Sequence, residues 1–111
     1  HAHKFLRYVL DAGGRVQIPE IPAQPHTYKS SEAAAQAALD SEMAVTKSIH
    51  QLMDLALEER DHATAAMLQW FITEQVEEIS SADQFLRLVK RAGEKNILAV
   101  EDYLADTAGQ K

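Results

Sequence analysis

Between Met67 and Val89 apolar side chains return every three or four positions in two adjoining rows. One row runs Met67, Phe71, Glu74, Glu78, Ser81, Phe85 and Leu88; the other runs Leu68, Ile72, Gln75, Ile79, Ala82, Leu86 and Val89. Together they form the single apolar stripe of an amphipathic helix. Glu74, Gln75 and Glu78 interrupt the stripe near its middle. In a packed bundle these side chains point inward, where a carboxylate is costly unless it is protonated, paired or bound to a cation. Several inward acids on one bundle helix suggest metal.

The rest of the chain reads as further helices around this one. His1 to Ala12 is the end of a helix, with Phe5, Leu6, Val9 and Leu10 on one side and Gly13-Gly14 as its stop. Residues 13–29 have no helical period, and Pro19, Pro22 and Pro25 bias them towards an extended path. Such a segment reaches roughly 50 Å, more than a helix of about 28 residues needs at about 1.5 Å per residue. The helices on either side of it are therefore expected to lie parallel, as in bundles with a long crossover. Ser30 and Ser31 are good N-caps for a helix reaching Glu59, whose core row is Ala35, Ala38, Glu42, Val45, Ile49, Leu52 and Ala56. Glu42 is the only charge in that row. A short charged turn, with Asp61 as the next cap, makes this helix and the one over residues 61–92 an antiparallel hairpin. Lys90, Arg91 and Gly93 end the second arm. Asn96 is expected to cap a short helix over 96–106, anchored by Ile97, Leu98 and Leu104, with Thr107 to Lys111 frayed.

Composition narrows the class. A chain of 111 residues with 46% hydrophobic content holds one domain or part of one. With Pro 3 and Gly 4, and many Ala, Leu, Glu and Gln, the fold class is all-α. The formal charge of -6 argues against nucleic acid as a partner and is compatible with collecting cations. No apolar run approaches the roughly 20 residues of a membrane span, so no membrane partner is expected. The absence of Cys removes thiolate ligands, disulfides and cysteine nucleophiles, which leaves hard or borderline metals.

Each acid also has a plainer reading. A lone Glu at an inferred core position, such as Glu42, is more often a boundary residue or one that snorkels or pairs with Lys or Arg. Three inward polar groups together change this balance: Glu74 and Glu78 share a face, Gln75 sits beside them, and no Lys or Arg lies between Lys47 and Arg87 on the inferred core rows. Glu77 lies at the stripe's edge, where a solvated face and an outer metal ligand are equally good readings. His1 offers an imidazole, although a terminal His is usually mobile. His3, His26, His50 and His62 read as surface or loop residues, and Trp70 and Phe71 as packing.

The segments Leu68-Gln69-Trp70-Phe71 and Glu74-Gln75-Val76-Glu77-Glu78, the Glu42 helix, and the helix end before a long crossover resemble the bacterial non-haem ferritin family. The resemblance covers essentially the whole chain but only about the last two thirds of a family chain. It implies a ferritin-like four-helix bundle with a long crossover and a short fifth helix, present here as a partial chain. The end of the second helix falls on 1–12, the crossover on 13–29, the third helix on 30–59, the fourth on 61–92 and the fifth on 96–106. It further implies homo-oligomeric cages of twenty-four subunits, which oxidise Fe(II) with dioxygen or peroxide and store ferric mineral, in the cytoplasm. By this resemblance His1 matches a histidine ligand of the di-iron site, Glu42 and Glu78 match glutamate ligands, and Gln75 matches the glutamine beside the iron pair. Glu74 and Glu77 match ligands of a third iron site. The family's first helix and the glutamates before the histidine have no counterpart here, and Ile79 stands where many relatives continue the acidic run.

The expectation is therefore a ferroxidase and iron-storage subunit, with Glu42, Glu78 and Gln75 carrying the chemistry and His1, Glu42, Glu74, Glu77 and Glu78 holding metal. Since a native chain does not normally begin in mid-helix, a longer protein is expected. The rival reading is a helical assembly fragment whose acids do no chemistry. A homo-oligomer is expected, with the segment 96–106 as part of the reason: a helix of about ten residues is too short to be stable alone, and burial of Ile97, Leu98, Val100 and Leu104 against neighbouring chains suits a cage better than docking on its own subunit.

Overall fold

A computed structural model describes residues 1–108. Four α-helices follow one another: α1 (Ala2–Asp11), α2 (Ser31–Glu58), α3 (His62–Ala92) and α4 (Ile97–Ala108), the last preceded by a single 3₁₀ turn, Glu94–Asn96. The described residues contain no strand, so the chain is all-α as expected. The observed helix ends differ from the expected ones by a residue or two, as ends usually do, except that α4 continues through Thr107 and Ala108, which were expected to fray. The remainder of that expected frayed segment, 109–111, lies outside the described residues.

The helix ends follow from local chemistry. Ser30, in extended backbone, accepts the N–H of Ala33 on its Oγ at 3.0 Å and opens α2. Nearby, the Glu94 carboxylate accepts the N–H of Glu32 at 3.3 Å, placing a negative charge on the positive end of the α2 dipole. At the close of α1, Gly14 N–H bonds Val9 O and Gly13 N–H bonds Leu10 O, with Gly13 at φ 81. This six-to-one and five-to-two pair is the Schellman stop. The same pair ends α2, Asp61 N–H to Ala56 O and Arg60 N–H to Leu57 O, but there Arg60 takes the left-handed position at φ 57. Asp61 then caps α3 by accepting the N–H of Thr64 at 3.0 Å, so the three residues Glu59, Arg60 and Asp61 suffice to reverse the chain. Asn96 does not cap α4 in the expected way: its Nδ2 donates to Ala92 O at 2.9 Å, sealing the end of α3 instead.

The α2–α3 hairpin is the frame. At the end where α2 starts and α3 finishes, Ala35, Leu86, Val89 and Val100 form a buried cluster, with Leu39, Phe85, Leu88, Ala92 and Ile97 packed around it. The tail therefore docks on its own hairpin through Val100 and Ile97. Leu98, expected as an anchor, is 72% exposed, on the side of α4 away from Val100, whereas Leu104, on the same face as Ile97 and Val100, is only 37% exposed and lines a pocket with Phe85 and Leu88 of α3.

Tyr8 of α1 meets Thr64 of α3, and His1 meets Trp70 and Phe71. Hence α1 runs antiparallel to α3 and parallel to α2, and the segment 13–30 crosses between opposite ends, as the prolines and its length require. This leaves one side of the frame open. Along α2 only Ala35, Ile49 and Ala56 of the expected core row are buried; Ala38, Val45 and Leu52 are exposed and Glu42 half-buried. Val45 and Leu52 face a groove of about 360 Å³ between α1 and α2, also lined by His1, Phe5, Ile49 and Phe71. The accessible surface, 8825 Å², exceeds the roughly 6100 Å² of a closed monomer of this mass, and the groove is part of the reason.

Candidate metal centre

The site grows out of the α3 stripe. Its second row is the better buried: Leu68, Gln75, Leu86 and Val89 are buried, whereas Glu74 and Glu78 of the first row are half-buried, on the side that faces the N-terminal end of α1. The ligand atoms of His1, Glu74 and Glu78 all lie within 4.8 Å of one another. Glu77 is exposed and stands outside that group.

His1 is placed by aromatic packing. Phe5 stacks on buried Phe71, with centroids 4.2 Å apart and planes at 24°, which docks the first turn of α1. The imidazole then meets Trp70 edge-on at 5.4 Å and Phe71 edge-on at 5.5 Å. Lys4 covers the outer face of Trp70, its Nζ 3.1 Å from the ring centroid, a cation–π contact that steadies the collar. At the far end of α1, Tyr8 bonds Thr64 across 2.9 Å. Trp70 and Phe71, read as packing from the sequence, thus hold the imidazole beside the acids.

Glu42, expected as a ligand, stands outside that group of three on the facing helix, where it is held by Gln75, the neighbour of Glu74 in sequence. Gln75 is 1% exposed, and its Nε2 donates to Glu42 Oε2 at 3.1 Å, to Glu42 O at 3.2 Å and to Thr46 Oγ1 at 3.0 Å. Its Oε1 is buried without a partner among the described residues. Thr46 escaped sequence reasoning; the available signal was its place one turn after Glu42, on the same side of α2.

Electrostatically the group is uncompensated. The ion pairs of the described residues, Arg7 with Asp11 and Arg87 with Asp83, involve none of Glu42, Glu74, Glu77 or Glu78. The Glu74 and Glu78 carboxylates lie close together, and like charges at that separation repel one another. One imidazole nitrogen and several carboxylate oxygens form a donor set for borderline and hard divalent ions.

Comparison with known proteins agrees with this architecture. Residues 1–92 match the family model Ferritin, a ferritin-like domain. The chain is 36% identical to ferritin BfrB of Mycolicibacterium smegmatis over 105 residues, covering 95% of this chain and 58% of that protein. It is 32% identical to a bacterial non-heme ferritin of Staphylococcus haemolyticus over 94 residues, 85% of this chain and 57% of the relative. Its fold superposes with a TM-score of 0.90 on an open pore ferritin from the hyperthermophilic archaeon Archaeoglobus fulgidus, at 36% identity, covering 94% of this chain and 65% of that one. The chain belongs to the ferritin-like family, and it spans somewhat less than two thirds of the length of these relatives.

Proposed function

We propose that this ferritin-like chain is part of an iron-storage subunit that oxidises Fe(II), its substrate, at the carboxylate centre, and that it assembles with copies of itself into a cage. The observation that carries this reading is the convergence of His1, Glu74 and Glu78 within 4.8 Å, with no cationic side chain among the described residues paired to them; Gln75, next to Glu74 in sequence, donates to Glu42 of the facing helix. Carboxylates stabilise the higher charge of Fe(III) more than that of Fe(II), so the same donors that bind the substrate favour its oxidation. Each Fe(II) yields one electron to dioxygen or peroxide, and the ferric product moves on to mineral. Glu42 and Glu78 are assigned to the iron pair and His1 to one of its ions. Gln75 is assigned to orienting Glu42. Glu74 lies close enough to His1 and Glu78 to serve the same ions or a third one, and exposed Glu77 is assigned to collecting or passing on iron. Twenty-four subunits, a cytoplasmic setting and partners limited to iron and further copies complete the reading.

The test is anaerobic loading with Fe(II) followed by dioxygen or peroxide, read as ferric absorbance, with light scattering on the same sample for assembly. Oxidation well above buffer, lost in Glu78→Ala, is the expected result. Buffer-level oxidation in the parent protein would leave only the structural role, and a monomer would sink the cage.

A further inference from the structure

One end of the Gln75 amide is surrounded by oxygen: Thr46 Oγ1 at 3.0 Å, Glu42 Oε2 at 3.1 Å and Glu42 O at 3.2 Å from Nε2. The two ends of a glutamine amide have nearly the same shape, so the hydrogen-bond network decides which end faces where. Thr46 takes part in that decision. Its hydroxyl has one proton, and that proton goes to Glu42 O at 2.9 Å, since a carbonyl oxygen only accepts. Towards α3, Thr46 Oγ1 is therefore an acceptor, as are the carbonyl and the carboxylate. The Glu42 carbonyl already receives the Thr46 hydroxyl, so the two oxygens left in need of a donor are Thr46 Oγ1 and Glu42 Oε2, and the two protons of the NH₂ end match them. The amide is held in this sense even though its Oε1 is left buried and without a partner among the described residues.

We infer that Thr46 is a positioning residue for the metal centre: its hydroxyl fixes the Gln75 amide so that an N–H is kept on the Glu42 carboxylate. The physical need is clear, because the terminal torsion of glutamine is broad and has no strong preference of its own. What holds the amide plane is its set of acceptors. With one N–H anchored on Thr46, the other is aimed at Glu42 Oε2, which fixes the rotation of that carboxylate on the α3-facing side of α2. That hydrogen bond engages Oε2 and leaves Oε1 as the oxygen to offer an ion. Hydrogen-bond partners of this kind typically change metal affinity or activity by about 10- to 100-fold when removed.

The effect on iron rests on the function proposed above, whereas the effect on the amide does not, so the experiment reads both. Thr46→Val keeps the shape and removes the hydroxyl; Thr46→Ser restores it. In metal-free protein labelled with ¹⁵N-glutamine, solid-state spectra report the Gln75 NH₂ pair, assigned by its loss in Gln75→Leu. The expected outcome is a shifted and less protected NH₂ pair in Thr46→Val, together with a fall of about 10-fold in Fe(II) oxidation rate, and recovery of both in Thr46→Ser. An unchanged NH₂ pair in Thr46→Val overturns the inference whatever the iron result. So does a shifted pair with an undiminished rate in an active parent, or a failure of Thr46→Ser to restore what Thr46→Val lost. A parent with no oxidation above buffer overturns the ferroxidase reading and with it the positioning role, while the amide spectra still report whether the hydroxyl fixes Gln75.

Discussion

Two regions of the α2–α3 hairpin are built on opposite principles. Where α2 begins, Ala35, Leu86, Val89 and Val100 exclude water, and α4 folds back to close the cluster. Towards the middle, the same two helices face each other across Glu42, Thr46 and Gln75, and beside them Val45 and Leu52 stay exposed on an open groove. The closed end gains from burial of apolar surface, about 25 cal/mol per Å². The open middle carries acids with no cationic partner among the described residues. A helix pair gripped firmly at one end tolerates such repulsion farther along, which is how one continuous apolar stripe accommodates Glu74 and Glu78.

The comparison predicts unequal responses to equal truncations. Leu86→Ala should cost about 2–5 kcal/mol in urea melts, whereas Val45→Ala should stay within about 0.5 kcal/mol. A comparable loss at Val45 would show that the groove is covered in the assembled protein and that the contrast belongs to the single chain alone. A smaller effect of opposite sign is expected at the acids. Glu78→Gln removes one of the repelling charges, so metal-free stability should rise, by up to about 1 kcal/mol, while Fe(II) binding weakens. Calorimetric melts with and without metal decide it: a destabilised metal-free variant would mean that Glu78 has a favourable partner and that the acids are not strained.

The smallest effect lies at the hairpin turn, away from both regions. Asp61 accepts from Thr64 through its side chain and its backbone N–H, and these bonds hold the carboxyl below the usual aspartate range. A folded-state pKa below the unfolded one means stability that is fully present above the unfolded value and is lost as pH falls through the folded one. The stability advantage of the parent over Asp61→Asn should therefore shrink as the pH falls below about 4, followed by thermal melts. An advantage that stays constant down to strongly acidic pH would remove the charge from the account of this cap.

Much of this protein follows from its sequence because helices are local objects. Ser30 and Asp61 announce helix starts, Gly13 and Gly93 announce stops, and the return of apolar residues every three or four positions draws the α3 stripe with its acidic interruption. Even the parallel run of α1 and α2 follows from the prolines and the reach of the crossover. Other features depend on which helix faces meet, and no spacing within one helix encodes that. Gln75 meets Glu42 and Thr46 across a gap of about thirty residues in sequence. His1 joins Glu74 and Glu78 because Phe5, Phe71 and Trp70 dock α1 there. Val45 and Leu52, apolar and in register with Ile49, are left in the open because no helix of the described residues covers them, while Val100 rather than Leu98 seals the far end because a single 3₁₀ turn sets the rotation of α4. Periodicity determines which residues share a face; tertiary packing alone decides what that face meets, because burial is a property of two surfaces and a sequence pattern describes only one.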